Sequence, residues 1–169
     1  MRDPYAGIDG GAELSVTSED FSEGGKLPLE STAEFVGNGG KDVSPQLSWS
    51  EVPEGTKSIY LHVFDPDAPT PAGWWHWSVI NLPPDLRSLD RGASASLPDG
   101  AITLRHDGGG HGYLGSAPPE GHGPHRYFFT VHALDTVLDL DEDATATMAA
   151  FSTRGHVLAR GYTVGTWEN

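Results

Sequence analysis

Glycine and proline set the grain of this chain. Twenty-two glycines and thirteen prolines, about a fifth of the sequence, cut it into short apolar runs. Each proline removes a backbone donor, and each glycine costs a helix interior conformational entropy, so long helices are disfavoured throughout. The pattern predicts a mainly β domain of short strands joined by many turns. Candidate strands are 12–17, 46–50, 57–65, 77–82, 126–135 and 162–167. Within two of them, 57–64 and 127–134 are rich in β-branched and aromatic residues and almost continuously apolar. Such runs suit central strands covered on both faces.

Helical pattern is confined to the C-terminal part. Asp141, Glu142 and Asp143 are placed to cap a helix over 144–153, and Gly155 would end it. A second short helix is expected over 156–160. Between Ala93 and Pro124 the chain is rich in glycine and proline with little periodicity, as functional loops often are.

A chain of 169 residues fits one domain, 1–169, with its core at about 12–168. It contains no cysteine, which excludes disulfides, thiolate nucleophiles and zinc–thiolate sites. No apolar secretory segment follows Met1, and no run is long enough to span a bilayer, so a cytoplasmic protein is expected. The net charge of −14 repels nucleic acid and anionic membranes. Stable membrane association is therefore not expected, and a bound anion must be captured by a few donors aimed inward. Acidity that merely maintains solubility explains the same charge.

Several motifs carry chemistry. Gly110–Gly115 satisfies G-x-G-x-x-G, but Ser116-Ala117-Pro118-Pro119 follows it where a dinucleotide site needs a helix N-terminus. Asp65, Asp67, His76 and His125 could ligate a metal, but no fixed helical spacing signals it, and neither metal nor cofactor is expected. No P-loop, H-E-x-x-H or G-x-S-x-G occurs. His125-Arg126-Tyr127 opens the strand at 126–135, where an imidazole and a phenol can face one cavity. A backbone-bonded His125 and a core Tyr127 would give the same sequence.

Taken in order, Asp65-Pro66-Asp67-Ala68-Pro69, Gly73-Trp74-Trp75-His76-Trp77, Pro118-Pro119-Glu120-Gly121 and His125-Arg126-Tyr127 resemble the phosphatidylethanolamine-binding protein family. The resemblance is to its bacterial and archaeal YbhB/YbcL-type branch. Val43–Trp49, Val52–Ser58, Gly155–Ala159 and Val164–Thr166 extend it over about 12–168. Two departures stand out. Gly115-Ser116-Ala117 replaces a frequent Gly-Pro-Cys, and Asp42 replaces the Asn that commonly precedes Val-Ser-Pro.

The resemblance implies an antiparallel β-sandwich with short peripheral and C-terminal helices, and a small anion pocket. Carried over residue by residue, Asp65, Asp67, His76, His125 and Tyr127 would line that pocket, with Pro69 and Trp75 shaping its walls. It also raises the expectation of a cis Ala68–Pro69 peptide. Imidazoles can donate to an anion and charge as it binds, and Asp65 or Asp67 could accept from an ammonium group. The leading expectation is a non-enzymatic binding protein for a phosphorylated or carboxylated ligand, as monomer or homodimer, with or without a protein partner. The alternatives are a kinase- or protease-inhibitor-like regulator and a metal- or His/Asp-dependent hydrolase.

Overall fold

The computed structural model describes residues 3–169. Among them the strands are β1 (Ala12–Glu13), β2 (Val16–Thr17), β3 (Leu47–Trp49), β4 (Ser58–Asp65), β5 (Trp74–Leu82), β6 (Ser88–Leu89), β7 (Ile102–Thr103), β8 (His125–Leu134) and β9 (Val157–Trp167), with one α-helix, α1 (Ala146–Ser152). They form a six-stranded sheet, ordered β1-β9-β8-β4-β5-β7, and a three-stranded sheet, β2-β3-β6. Pairing is antiparallel except between β1 and β9. No helix among the described residues is long and apolar enough to cross a membrane.

The continuous hydrophobicity of the two central strands has the expected cause. Side chains alternate across a strand, so a strand covered on both faces needs apolar residues at every position. Ile59, Leu61 and Val63 of β4 meet Phe129 and Val131 of β8 and Leu47 and Trp49 of the small sheet in the main core. Tyr60 and Leu134 turn to the opposite face, with Ile80, Leu104 and Ala149 of α1. The large sheet thus has an inner face toward the small sheet and an outer face partly covered by α1 and the N-terminal segment.

Several local expectations are corrected. The run 12–17 is two strands: β1 pairs with β9, whereas β2 pairs with β3 in the other sheet, so the chain changes sheets at Leu14 and Ser15. The cap of α1 is Thr145, whose Oγ1 accepts the Met148 N–H at 3.1 Å. Asp141 instead closes its own turn by accepting the Asp143 N–H. The expected helix at 156–160 is the beginning of β9, because Gly155 ends the helical turn in a left-handed conformation (φ 79°) and Val157 onward pairs with β8. β5 begins three residues before the expected start at Trp77, taking the whole Trp74–Trp77 run into the sheet.

Candidate functional site

The Asp-Pro-Asp corner follows directly from the end of β4. Asp65 Oδ1 accepts the Asp67 N–H at 2.7 Å, closing a side-chain turn. Thr70 N–H donates to the Ala68 carbonyl, and the Thr70 hydroxyl to that of Gly73. Gly73 makes the return with φ 72°, and a Cβ there would lie 2.7 Å from the Asp65 carbonyl oxygen. Two local turns and a left-handed glycine reverse the chain, so no cis bond is needed. The Ala68–Pro69 peptide is trans, contrary to the sequence expectation.

β5 brings His76 to the inner face by an irregularity in pairing. Val63 pairs with Trp77 and Phe64 with Trp75, leaving His76 as the extra residue of a bulge. Strict alternation from Trp77 would have sent His76 to the outer face. Its ring instead lies 5.1 Å from that of Tyr127. Trp75 points the other way, packing against Phe64 at 4.6 Å and His62 at 4.9 Å. It therefore does not wall the inner cluster, and Pro69 is exposed at the corner.

On the inner face, His125 Nδ1 lies 2.8 Å from Asp65 Oδ2, and both side chains are only 4% exposed. The ionised carboxylate can only accept, so Nδ1 carries the proton and Nε2 presents a lone pair to the cluster when the ring is neutral. His76 is oriented similarly, its Nδ1 donating to the Leu114 carbonyl at 2.9 Å. Burial pushes His76 down to about 4, against the opposing pull of that hydrogen bond. Burial also pushes the Asp65 carboxyl up, with the His125 ring pulling against it. The Tyr127 phenol is raised by burial and then by the negative charge of Asp65.

The hydroxyls of Tyr127 and Ser116 are both buried without a well-formed hydrogen bond, and they are neighbours. Ser116 had no role in the sequence reading beyond being a departure from the family pattern. Gly115 beside it lies so close to the Thr32 backbone that a Cβ would sit 2.2 Å away, and its N–H donates to Asp42 Oδ1. Asp42 itself adopts φ 52°, a region that Asp and Asn tolerate better than most residues. These contacts fix the 114–116 segment over the cluster. His122 lies at the rim, its ring 5.7 Å from that of His125.

Asp67 has a different task. Arg126 Nε and Nη2 donate to its two oxygens at 2.7 and 2.8 Å, and the Arg126 N–H adds a third bond. Burial raises this carboxyl, but the Arg126 hydrogen bonds outweigh it and hold Asp67 below the usual carboxylate range. With Asp65 bonded to His125 and Asp67 to Arg126, both carboxylates already have cationic or N–H partners. Of the expected lining, Asp65, His76, His125 and Tyr127 come together. Asp67 braces the corner, and Pro69 and Trp75 face elsewhere.

The Asp65–His125 pair has the form of an orienting carboxylate and a base. Among the described residues, no hydroxyl is hydrogen-bonded to His125 Nε2, and no group of three or more His, Asp or Glu side chains is arranged to hold a metal ion. What the cluster offers is two imidazoles, each held through Nδ1, and two adjacent buried hydroxyls, neither in a well-formed hydrogen bond.

The sequence profile described as phosphatidylethanolamine-binding protein matches residues 17–168. The UPF0098 protein YbhB of Escherichia coli is 47% identical over 150 residues, covering 86% of this chain and 94% of that protein. The crystal structure of E. coli YbcL superposes with a TM-score of 0.89 at 37% identity, covering 94% of this chain and 99% of that one. A Chlamydia trachomatis homologue gives a TM-score of 0.81 at 34% identity, with 94% and 99% coverage.

Proposed function

This chain belongs to the phosphatidylethanolamine-binding protein family, and from that premise we propose that Asp65, His76, His125 and Tyr127 form a non-enzymatic pocket for a small phosphorylated or carboxylated anion. The observation that carries the reading is the pair of buried, adjacent hydroxyls on Tyr127 and Ser116, neither in a well-formed hydrogen bond, beside two imidazoles whose Nδ1 atoms are already engaged. Even bonded to each other, two hydroxyls leave one O–H over, and a buried donor without a partner is costly and calls for an acceptor. An anion oxygen is such an acceptor.

The His76 imidazole completes the site once it is protonated. A neutral His76 turns a lone pair toward the ligand, so an anion binds best when Nε2 takes up a proton. Binding would raise the His76 pKa from about 4. The complex then holds more protons than the free protein above that pH, and affinity falls as pH rises. Asp65 keeps the His125 ring oriented through its hydrogen bond to Nδ1. Because both carboxylates are engaged, the chemistry favours a simple anion over a zwitterion.

Isothermal titration calorimetry with inorganic phosphate tests the proposal. We expect saturable one-to-one binding at pH 6 that weakens at pH 8 and is lost in His125→Ala. Unchanged affinity in folded His76→Ala and His125→Ala variants would refute the pocket. Phosphoester hydrolysis by the wild type that disappears in His125→Ala would refute its non-enzymatic character.

A further inference from the structure

The outer face of the large sheet carries a second cluster of rings that the anion pocket does not use. The N-terminal segment crosses it, with Tyr5 stacked on Tyr162 at 5.4 Å and its hydroxyl hydrogen-bonded to His62 Nε2 at 2.6 Å. Beneath lie His62 and His132, their ring centroids 5.2 Å apart. Between this segment, the corner after β4 and the end of α1 is a cavity of about 890 Å³. That volume is in the range of small-molecule sites.

Three features of its wall specify an occupant. First, Phe64, Trp75 and Val157 supply an apolar lining, with Trp75 packed edge-on to His62. Second, two guanidinium groups, Arg154 and Arg160, face the space against one carboxylate, Asp9. Arg160 is committed to the Ile8 and Asp9 carbonyls and lies over the Tyr5 ring at 4.5 Å. Arg154 stands exposed at the rim over Phe151 and makes no ion pair among the described residues. Third, the buried rings of His62 and His132 line the space beside Trp75.

We propose that this outer cavity is a second binding site, separate from the Asp65–His125 pocket, for a small amphipathic monoanion with an aromatic or alicyclic body. The body packs on Trp75, Phe64 and Val157, and the anionic end pairs with Arg154 at the rim. A polyanion is less well matched, because only Arg154 is uncommitted.

The probe is 8-anilinonaphthalene-1-sulfonate, an aromatic monoanion, titrated by fluorescence into the full chain in phosphate buffer that saturates the first pocket. We expect one saturable site. Arg154→Ala should weaken it roughly three- to tenfold, as for loss of a charged hydrogen-bond partner. Ala150→Trp, which fills the cavity from α1, should abolish it. Near-ultraviolet circular dichroism confirms that each variant is folded. Arg154 is on the surface, so its variant keeps the test intact if the bulkier one does not fold. Weakened binding in either folded variant supports the site. Equal affinity in the wild type and Arg154→Ala, absence of saturable binding, or loss of the probe in His125→Ala overturns it.

Discussion

Two pairs of histidines lie on opposite faces of one sheet, and their surroundings give them opposite roles. On the inner face, His125 has a carboxylate within hydrogen-bond distance and His76 has a backbone carbonyl. On the outer face, His62 and His132 have each other and the positive charge of Arg160, with no carboxylate bonded to either ring. Burial pushes His62 well down and His132 to about 3, and those neighbouring cations add to it. The outer imidazoles are therefore fixed as neutral rings that pack. On the inner face burial also pushes His76 down, to about 4, but there a hydrogen bond to the Leu114 carbonyl opposes the shift. Residue type is the same; the adjacent charge decides what the ring can do.

The largest expected break in this contrast is at Asp65. Replacing it with Ala leaves His125 buried beside no acceptor, which should cost about 2–4 kcal/mol in urea denaturation. On the outer face, His132→Leu removes a ring whose Nδ1 already lacks a partner and should change stability by less than about 1 kcal/mol. Equal costs at the two positions would erase the distinction between the faces.

Acid should sharpen it next. In the unfolded chain each histidine titrates near its reference value of about 6.5. In the folded chain His62, His76 and His132 stay neutral to much lower pH. The unfolded state therefore binds more protons, and stability falls as pH drops from about 6.5 toward 4. Each ring contributes roughly 1–2 kcal/mol of this loss by pH 5. His132→Leu should flatten the pH dependence of the denaturation midpoint, and an unchanged slope would mean that His132 is not held neutral.

The smallest effect concerns the brace at the corner. Arg126→Ala removes a partly exposed ion pair with Asp67 and should cost about 0.2–1 kcal/mol. Phosphate affinity should change only a few-fold, because Asp67 bonds Arg126 and not the imidazoles. A loss as large as that of His125→Ala would return Asp67 to the pocket.

Much of this was legible in the residues. The apolar continuity of 57–65 and 126–135 disclosed two central strands, because a doubly covered strand has no polar face to show. The motifs from Asp65 to His76 and from His125 to Tyr127 disclosed most of the inner cluster. Trp75 was misread because a bulge is invisible in a period-two pattern: one extra residue puts His76 with Trp77 and turns Trp75 away. Asp67 reads as a ligand group because its partner, Arg126, lies far off in the chain and only the fold brings the two together. Ser116 was hidden in a loop without periodicity, where only tertiary contacts with Thr32 and Asp42 fix its place. The helix expected at 156–160 failed because pairing with β8 outweighed a weak local pattern.

The central claim is that the inner imidazoles meet an anion and the outer ones do not. Proton-detected nitrogen-15 spectra of the histidine rings at pH 7, with and without inorganic phosphate, test it most directly. On adding phosphate, His76 and His125 should shift, with His76 moving toward the doubly protonated form, while His62 and His132 remain neutral and unmoved. Shifts confined to His62 and His132, or no shift at any ring, would contradict the account.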